Sequence, residues 1–334
     1  MKEDQELNIT DETLKESLGQ WALEENIHHS SLTKLLSLLR HYHPHLPKDA
    51  RTILKTPRFF PVIQMGNGEF FYIGVRMRLE KRAEKGVKPG TQVISILTNI
   101  DGLPIHKSTK KQFWPILCMS RDFLDCSPFL VGLYCGTSNP PSLDEYLSPF
   151  IDQINEFQKT GIVFHGQVFP VKLLAIVCDA PAKAFVKATK GHAGYFGCDK
   201  CEQEGIHTGS RMIFLEPRAT RRTDESFLSQ SQAEHHKGVT PLTQLIGFDL
   251  VRGFPLDYMH LTCLGVMRKL LLCWIQGSLK KVKLPAVTMQ RLQDVLDGLR
   301  ACVPQEFTRK PRGVDELCHW KAFGISCYTM VLLC

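Results

Sequence analysis

The chain has 334 residues and a formal net charge of +7, with 43% hydrophobic and 22% charged residues. This composition is ordinary for a globular protein, and the length allows two or three domains. The sequence contains no run of about 18 apolar residues, the length that a membrane span needs, so no membrane partner is expected. The mild excess of basic residues permits a polyanionic partner without requiring one.

The N-terminus, MKEDQELNIT, is polar and lacks the apolar core of a signal peptide, so we expect a protein that is not secreted. Without secretion, the twelve cysteines are more consistent with reduced thiols and a metal site than with disulfides. Together these features predict a nuclear or cytoplasmic location.

Residues 1–56 predict an N-terminal helical segment. Within it, Leu14, Leu18 and Trp21 share one face of a first amphipathic helix, and Ser30 precedes a second helix as its predicted cap. We interpret this segment as a packing element rather than as a separate activity.

Residues 57–92 predict a connector with a basic helix that includes Arg76 and Arg78. The simpler interpretation is a solvated charged helix. The alternative is a face that contacts phosphates, because lysine and arginine neutralise nucleic-acid backbones.

The segment 93–216 has the pattern of a mixed α/β sheet. Three strand-like runs precede a capped amphipathic helix and then a buried strand: Val93–Ile100, Phe113–Met119, Phe129–Tyr134, Ser142–Phe157 and Val171–Val177. A meander followed by a crossover helix into a parallel strand is the order found in RNase-H-like folds. A family resemblance, given below, implies a fifth strand of that sheet, for which Arg211–Phe214 is the candidate.

Two aspartates follow strands of this predicted sheet, Asp101 after the first and Asp179 after the fourth. Carboxylates from neighbouring strand ends can hold divalent metal ions, which serve phosphodiester chemistry. Asp257 and Glu225 are the candidates for a third carboxylate. The alternative is that both strand-end aspartates only make turns, since one precedes Gly102 and the other shortly precedes Pro181.

The pair Cys198 and Cys201 forms a CxxC motif in a glycine-rich turn, which is half of a tetrahedral zinc site. A redox pair or a coincidental pair of thiols are the alternatives. Histidines most often complete such a site, and the candidates are His192, His207, His235, His236 and His260.

Residues 217–334 lose strand character and predict a helical insertion, with helices at Val266–Ile275 and Met289–Cys302. A basic cluster that includes Arg221 and Arg222 stands near the start of this segment.

Five stretches carry a resemblance to a known family: TNIDGLPIHKSTKKQFWPI, VGLYCG, VCDAPAKAFVKATKGHAGYFGCDKC, RRTDESF and GFPLDYMHLTCLGVMRKLL. In this order they resemble the core of transposase-derived proteins of animal genomes, which are similar to CACTA/EnSpm-type transposases. The resemblance covers roughly residues 10–322.

The resemblance implies an RNase-H-like core with a DDE/D triad that binds transposon-end DNA and cleaves and joins strands with Mg²⁺ or Mn²⁺. Asp101 and Asp179 match the first two acids of the triad. Cys198 and Cys201 match the family's CxxC, which implies structural Zn²⁺ with His260 as a candidate further ligand. Homo-oligomerisation is left open. The candidate phosphate contacts are Arg76, Arg78, Lys107, Lys110, Lys111, Arg221 and Arg222.

The C-terminal part departs from the family pattern. No histidine pair followed by a glutamate-bearing helix remains, and Phe323–Cys334 does not resemble the family's continuation. We therefore expect a frameshifted or mis-spliced end, an incomplete zinc site and a catalytically incomplete triad.

Two other function classes stay open at this stage. One is a domesticated module that binds DNA or protein without catalysis. The other is a metal-independent cysteine enzyme, for which Cys178 beside Asp179 is the nearest candidate, but no base is recognisable beside that thiol.

Overall fold

The computed structural model describes residues 11–106, 108–209, 211–277, 281–303, 310, 312–322 and 325. The chain divides into two compact units, residues 1–61 and residues 62–334. The expected departure at Phe323–Cys334 lies outside the described residues, apart from Ile325.

The first unit is a small helical bundle made of α1 (Asp11–Glu24), α2 (His29–Leu39) and α3 (Ala50–Ile53). Its buried side chains include Leu32 and Leu36, which lie four residues apart on one face of α2. The prediction of Ser30 as a cap is wrong, because α2 begins at His29 and no side chain caps it.

The second unit is built on a mixed sheet, which confirms the mixed α/β class. Its strands are β1 (Ile63–Met65), β2 (Gly68–Tyr72), β3 (Ile94–Ile100), β4 (Leu103–Pro104), β5 (Gln112–Met119), β6 (Phe129–Gly136) and β9 (Val171–Val177). Two hairpins stand apart from the sheet: β7 (Ile162–Phe164) with β8 (Gln167–Phe169), and β10 (Ile206–Thr208) with β11 (Arg211–Ile213).

The strand order is β1-β2-β6-β5-β3-β9, with β4 paired to β5. The pairs β2–β6, β6–β5 and β5–β3 are antiparallel, whereas β9 runs parallel to β3. The predicted meander and crossover are therefore present, and they place the carboxyl ends of β3 and β9 side by side.

The predicted fifth strand of the sheet is wrong as placed. Residues Arg211–Ile213 do form a strand, but it pairs antiparallel with Ile206–Thr208 in a separate hairpin. A short connection between two consecutive strands favours this local pairing over a return to the distant sheet.

Helices cover the sheet and extend the chain beyond it. They are α4 (Val75–Glu84), α5 (Leu143–Thr160), α6 (Ala180–Val186), α7 (Asp224–Leu228), α8 (Arg268–Ile275) and α9 (Ala286–Cys302), with short 3₁₀ turns at Ala233–His235, Pro241–Gln244 and Val314–His319. Ser142 is the N-cap of the crossover helix α5, as predicted, and its side chain accepts a hydrogen bond from the Glu145 amide. One face of α5 is fully buried, including Tyr146, Phe150 and Phe157.

Helix α4 is capped by a residue from α5, because its own N-cap residue, Gly74, has no side chain that could accept a hydrogen bond. The Gln153 Oε1 atom accepts from the amide of Val75 at 2.6 Å and from that of Arg76 at 3.3 Å. The Tyr72 hydroxyl also donates to it, at 3.1 Å. A single side-chain oxygen thus serves amides that the first helical turn leaves unpaired.

We expect Gln153→Ala to lower the free energy of unfolding by about 1–2 kcal/mol, because it leaves these part-buried amides without an acceptor. Gln153→Glu keeps the acceptor and is the matched control. Urea denaturation of both variants measures the difference, and equal losses would show that Gln153 does not act as the cap.

The chain after Asp257 forms a π-helical segment, Tyr258–Met267, that continues directly into α8. Its inner side packs into a second core that includes Cys263, Leu271 and Trp320. Within the described residues, Tyr258–Ile275 is the one helix whose length and composition would permit a membrane span, and 17% of it is buried. One helix of this kind is weak evidence for such a span.

Candidate functional site

Asp101 and Asp179 lie at the adjacent carboxyl ends of β3 and β9. The register pairs Asn99 with Val177, so each aspartate follows its strand end by one or two residues. The Asn99 side chain also donates to the Val177 carbonyl oxygen at 3.0 Å, which joins the two strand ends at this point. The predicted juxtaposition of the two aspartates is therefore present.

Both carboxylates are held by the backbone of their own turns. The Gly102 amide donates to Asp101 Oδ1 at 2.8 Å, and the Ala182 amide donates to Asp179 Oδ1 at 2.7 Å. Gly102 allows this tight turn, since a Cβ atom there would come within 2.8 Å of the Trp114 ring. Turn-making and ligand-binding roles for these aspartates are thus compatible, because the turn uses one oxygen of each.

Burial, and after it the negative charge of Asp179, raises the pKa of Asp101 above its usual value. The Gly102 hydrogen bond and the charge of His260 act in the opposite direction. Two carboxylates that repel each other at a part-buried site would gain from a bound cation.

Asp257 is the second carboxylate that acts on Asp101, after Asp179, and its charge raises the Asp101 pKa further. It begins the helical segment at Tyr258 by accepting from the amides of Met259 and His260 at 2.8 and 3.1 Å. Its second oxygen lies 2.5 Å from His260 Nδ1. Burial opposes ionisation of Asp257, but the hydrogen bonds of His260 outweigh it and lower the pKa of Asp257.

Of the two candidates for a third acid, the structure brings Asp257 to the strand-end pair and leaves Glu225 elsewhere. Glu225 is exposed on α7, where its electrostatic partners are Asp249 and Arg252. A helix cap at Asp257 is visible in the sequence, but its approach to Asp101 requires the path of the whole segment between them.

A cavity of about 660 Å³ opens beside these carboxylates. Its lining includes Asp179, Asp199, Asp257 and His260 together with Lys183, Lys190 and Lys200. Apolar side chains such as Phe214 and Leu256 complete the wall. The volume is that of a typical small-ligand site.

Sequence reasoning missed the ion cluster in this wall. The Asp199 carboxylate is shared by three ammonium groups: Lys187 contacts Oδ1, while Lys183 and Lys200 lie 3.6 and 3.5 Å from Oδ2. Lys187 is fully buried and also lies over the rings of Phe227 and Phe254. The spacing of Asp179, Lys183 and Lys187 by four residues was the available signal, since it places all three on one face of a helix.

The two thiols of the CxxC motif lie together, with Cys198 Sγ and Cys201 Sγ 3.0 Å apart and no disulfide between them. Burial raises the pKa of Cys198. Burial also opposes ionisation of Cys201, but hydrogen bonds from Gln203 and Cys198 outweigh it and lower the pKa of that thiol. The lowered pKa therefore favours the thiolate form of Cys201, the form that binds a metal, whereas burial disfavours the thiolate form of Cys198.

The candidate histidine ligands do not form one group with the CxxC thiols within the described residues, although the rings of His235 and His236 lie 5.1 Å apart. His192 and His207 are exposed, and the Nδ1 atom of His260 is occupied by Asp257. His235 is buried, with Nδ1 donating to the Phe196 carbonyl at 2.7 Å and Nε2 lacking a hydrogen-bond partner among the described residues. His236 packs against Phe227. Within the described ranges, no group of three or more His, Cys, Asp or Glu side chains is close enough to hold one metal ion.

The side chains of the candidate phosphate contacts differ in whether they are exposed or already bound to other groups of the protein. Arg76 pairs with Glu156 at 2.7 Å, and Arg78 donates to the Leu130 carbonyl at 3.2 Å. Lys110, Lys111 and Arg221 are exposed, and Lys107 lies outside the described residues.

The phosphate contact predicted for Arg222 does not fit its position. Its side chain is buried, and its Nη2 atom donates to the carbonyl of Cys201 at 3.1 Å and to that of Cys198 at 3.5 Å. Gln232 Oε1 accepts from the same atom at 2.6 Å. Arg222 therefore braces the CxxC turn from inside the protein, because a guanidinium has enough donors to bind several carbonyls at once.

Comparison of the sequence with models of known protein families, and with curated protein sequences, finds no match.

Proposed function

We propose that this chain contains the core of a transposase-derived, DNA-binding protein of RNase-H-like architecture, whose strand-end carboxylates hold divalent metal ions; strand cleavage is the activity of the intact family, and the triad of this chain is expected to be incomplete. The observation that carries the proposal is the position of Asp101 and Asp179 at the ends of the parallel strands β3 and β9. The resemblance of the surrounding motifs to CACTA-like transposases supports the choice of DNA as the substrate.

The donor set suits Mg²⁺ or Mn²⁺, which prefer hard carboxylate oxygens. Each strand-end aspartate has one oxygen engaged by an amide, at Gly102 or Ala182, so that the carboxylate is oriented by its own turn. When bound, such ions activate the attacking oxygen and stabilise the leaving oxygen of a phosphodiester. Burial and Asp179 raise the pKa of Asp101, and a bound cation would oppose that shift because its charge favours the ionised carboxylate.

Asp257 is proposed as a third carboxylate that acts on the site through its charge, since within the described residues it forms no three-residue group with Asp101 and Asp179 that could hold one ion. Both of its oxygens are engaged, by the amides of Met259 and His260 and by the His260 ring. It therefore fixes the orientation of His260 while its charge acts on Asp101. The hydrogen bond at Nδ1 leaves Nε2 as the ring nitrogen that can hold a proton or a ligand at the cavity.

The test is nicking of supercoiled plasmid DNA by the purified full chain. If Asp257 supplies the acid that the family pattern lacks in this chain, nicking occurs with Mg²⁺ or Mn²⁺ and not with EDTA, whereas a catalytically incomplete triad binds DNA without nicking it. Salt-sensitive DNA binding without any nicking would instead favour the alternative, a non-catalytic binding module. Hydrolysis that persists in EDTA and is abolished by thiol alkylation would favour the cysteine enzyme.

Structural Zn²⁺ is proposed at Cys198 and Cys201, because two free thiols 3.0 Å apart supply two of the four ligands that zinc needs. Elemental analysis of the purified chain is expected to find zinc, which Cys198→Ser or Cys201→Ser removes. Cys273→Ser changes an exposed thiol and is the matched control. A disulfide between Cys198 and Cys201 in place of zinc would contradict this proposal.

A further inference from the structure

The two residues between the CxxC thiols join that turn to the elements around the strand-end aspartates. Asp199 Oδ2 lies 3.6 Å from the ammonium of Lys183, which stands in α6 one helical turn after Asp179. Lys200 donates to the Phe254 carbonyl at 2.7 Å. The position of the CxxC turn therefore bears both on α6 and on the segment that precedes the π-helical segment.

Further hydrogen bonds extend this connection to the sheet. Lys183 donates to the Pro255 carbonyl at 3.1 Å, two residues before Asp257. The Gly253 carbonyl accepts from the Ile176 amide at 2.9 Å, which ties the same segment to the last part of β9. A displacement of the CxxC turn thus has a contiguous path of contacts to the carboxyl end of β9.

The two thiols are placed to bond with each other. Cys198 Sγ and Cys201 Sγ lie 3.0 Å apart, so a small movement of the turn brings them to bonding distance. Both side chains are part-buried, and Cys198 lines the cavity of about 660 Å³, which gives a small reagent access to the pair. The Gln203 side chain donates to Cys201 Sγ at 3.0 Å and so favours Cys201 as the attacking thiolate.

We propose that Cys198 and Cys201 form a reversible disulfide switch. Its closure draws Asp199 away from Lys183, whose ammonium then acts on Asp179 and weakens cation binding there. Lys183 is suited to this role, because it lies four residues after Asp179 and therefore on the same face of the helix. The effect on cation binding rests on the proposed function, whereas formation of the disulfide does not.

The oxidant is a low-molecular-weight disulfide such as glutathione disulfide. The Cys201 thiolate attacks one of its sulfurs and expels a glutathione thiolate, and the Cys198 thiolate then attacks the Cys201 sulfur and expels the second. Two electrons pass from the protein thiols to glutathione, and the two thiol protons end on the released glutathione. Any zinc held by these thiols leaves as the disulfide forms, because the sulfurs cannot serve both.

The first test is incubation of the purified full chain in buffers of increasing glutathione disulfide, followed by alkylation and mass spectrometry. We expect an internal disulfide between Cys198 and Cys201, which dithiothreitol reverses. Cys273→Ser, which changes an exposed thiol, retains this disulfide. Thiols that stay free, or that form only mixed disulfides with glutathione, would overturn the proposal.

The second test is labelling of Lys183 with acetic anhydride after glutathione has been removed. In the reduced chain this side chain is 9% exposed and lies beside Asp199. We expect its labelling to rise about tenfold on oxidation, because the loss of a carboxylate partner favours the neutral amine. The exposed Lys172 is the reference and should not change. An unchanged Lys183 in the oxidised wild type, or an equal rise in Cys201→Ser, would contradict the coupling.

Titration with Mn²⁺ separates the switch from the proposed metal site. Oxidation is expected to weaken Mn²⁺ binding about tenfold in the wild type and to leave it unchanged in Lys183→Met, which lacks the ammonium. Equal Mn²⁺ affinity of the oxidised and reduced wild type would overturn the proposed effect on Asp179. If neither form binds Mn²⁺ while the labelling of Lys183 rises, the metal site fails and the switch stands.

Discussion

Asp199→Asn is expected to lower the free energy of unfolding by about 3–5 kcal/mol, because it removes the one carboxylate shared by three ammonium groups. The largest cost is expected at Lys187, which would lose its partner carboxylate, since its ammonium is fully buried and burial already lowers its pKa. Urea denaturation at pH 7 measures the loss.

Lys187→Met is the matched comparison for Asp199→Asn. It removes the most buried ammonium, leaves Asp199 with Lys183 and Lys200, and keeps an apolar contact with Phe227. We expect a loss of about 1.5 kcal/mol or less, because methionine fills a similar volume and the remaining charges are closer to balance. Equal losses in the two variants would contradict the charge count on which this prediction depends.

The Asp199 contribution also has a defined pH dependence. Burial opposes its ionisation, but Lys187 and Lys183 outweigh burial and hold the pKa of Asp199 below its usual value. A lowered pKa in the folded state gives stability that is present above the unfolded value, about 3.9, and is lost as the pH falls through the folded value. The difference between the wild type and Asp199→Asn should therefore shrink below about pH 4.

Asp101→Asn is expected to lower Mg²⁺-dependent nicking on the order of a thousandfold. Metal coordination supplies several kcal/mol of transition-state stabilisation, and about 1.4 kcal/mol corresponds to a factor of ten in rate. Asparagine keeps the acceptor for the Gly102 amide, so the turn is preserved. Asp152→Asn changes an exposed residue of α5 and should leave the rate unchanged.

The same Asp101→Asn substitution is expected to raise the melting temperature at neutral pH. Burial and Asp179 raise the pKa of Asp101, so its ionised form opposes folding, and the neutral amide removes that cost. A carboxyl group whose pKa is raised by folding contributes all of its stabilisation at pH values below its unfolded pKa. This stabilisation is lost as the pH rises through its folded pKa. The gain should therefore vanish under acidic conditions. A lower melting temperature together with the lost activity would show that the variant had only unfolded.

The parts of the fold that sequence reasoning anticipated have strong local signals. The apolar, β-branched run that forms β3 and the Ser142 cap of α5 are two such signals, and the side-by-side placement of Asp101 and Asp179 follows from the parallel pairing of β9. Periodicity and capping depend on residues close in sequence, and for that reason they could be identified without a structure.

The features that were missed depend on contacts distant in sequence. Lys183 and Lys187 have the spacing of ordinary surface charges, and only the return of the CxxC turn places Asp199 between them. Arg222 looks like part of a surface cluster until the carbonyls of that same turn bury its side chain. The four-residue spacing can place the two lysines on one helix face, but it cannot show that Asp199 or the CxxC carbonyls return to them.

The most direct test of the metal site is titration of the full chain with MnCl₂, followed by electron paramagnetic resonance of the free ion. Asp179→Asn is the decisive variant, because asparagine caps a helix as well as aspartate and preserves the start of α6. We predict stoichiometric Mn²⁺ binding by the wild type and by Asp152→Asn, and loss of that binding in Asp179→Asn. Equal Mn²⁺ affinity of the wild type and Asp179→Asn would contradict a metal site at the ends of β3 and β9.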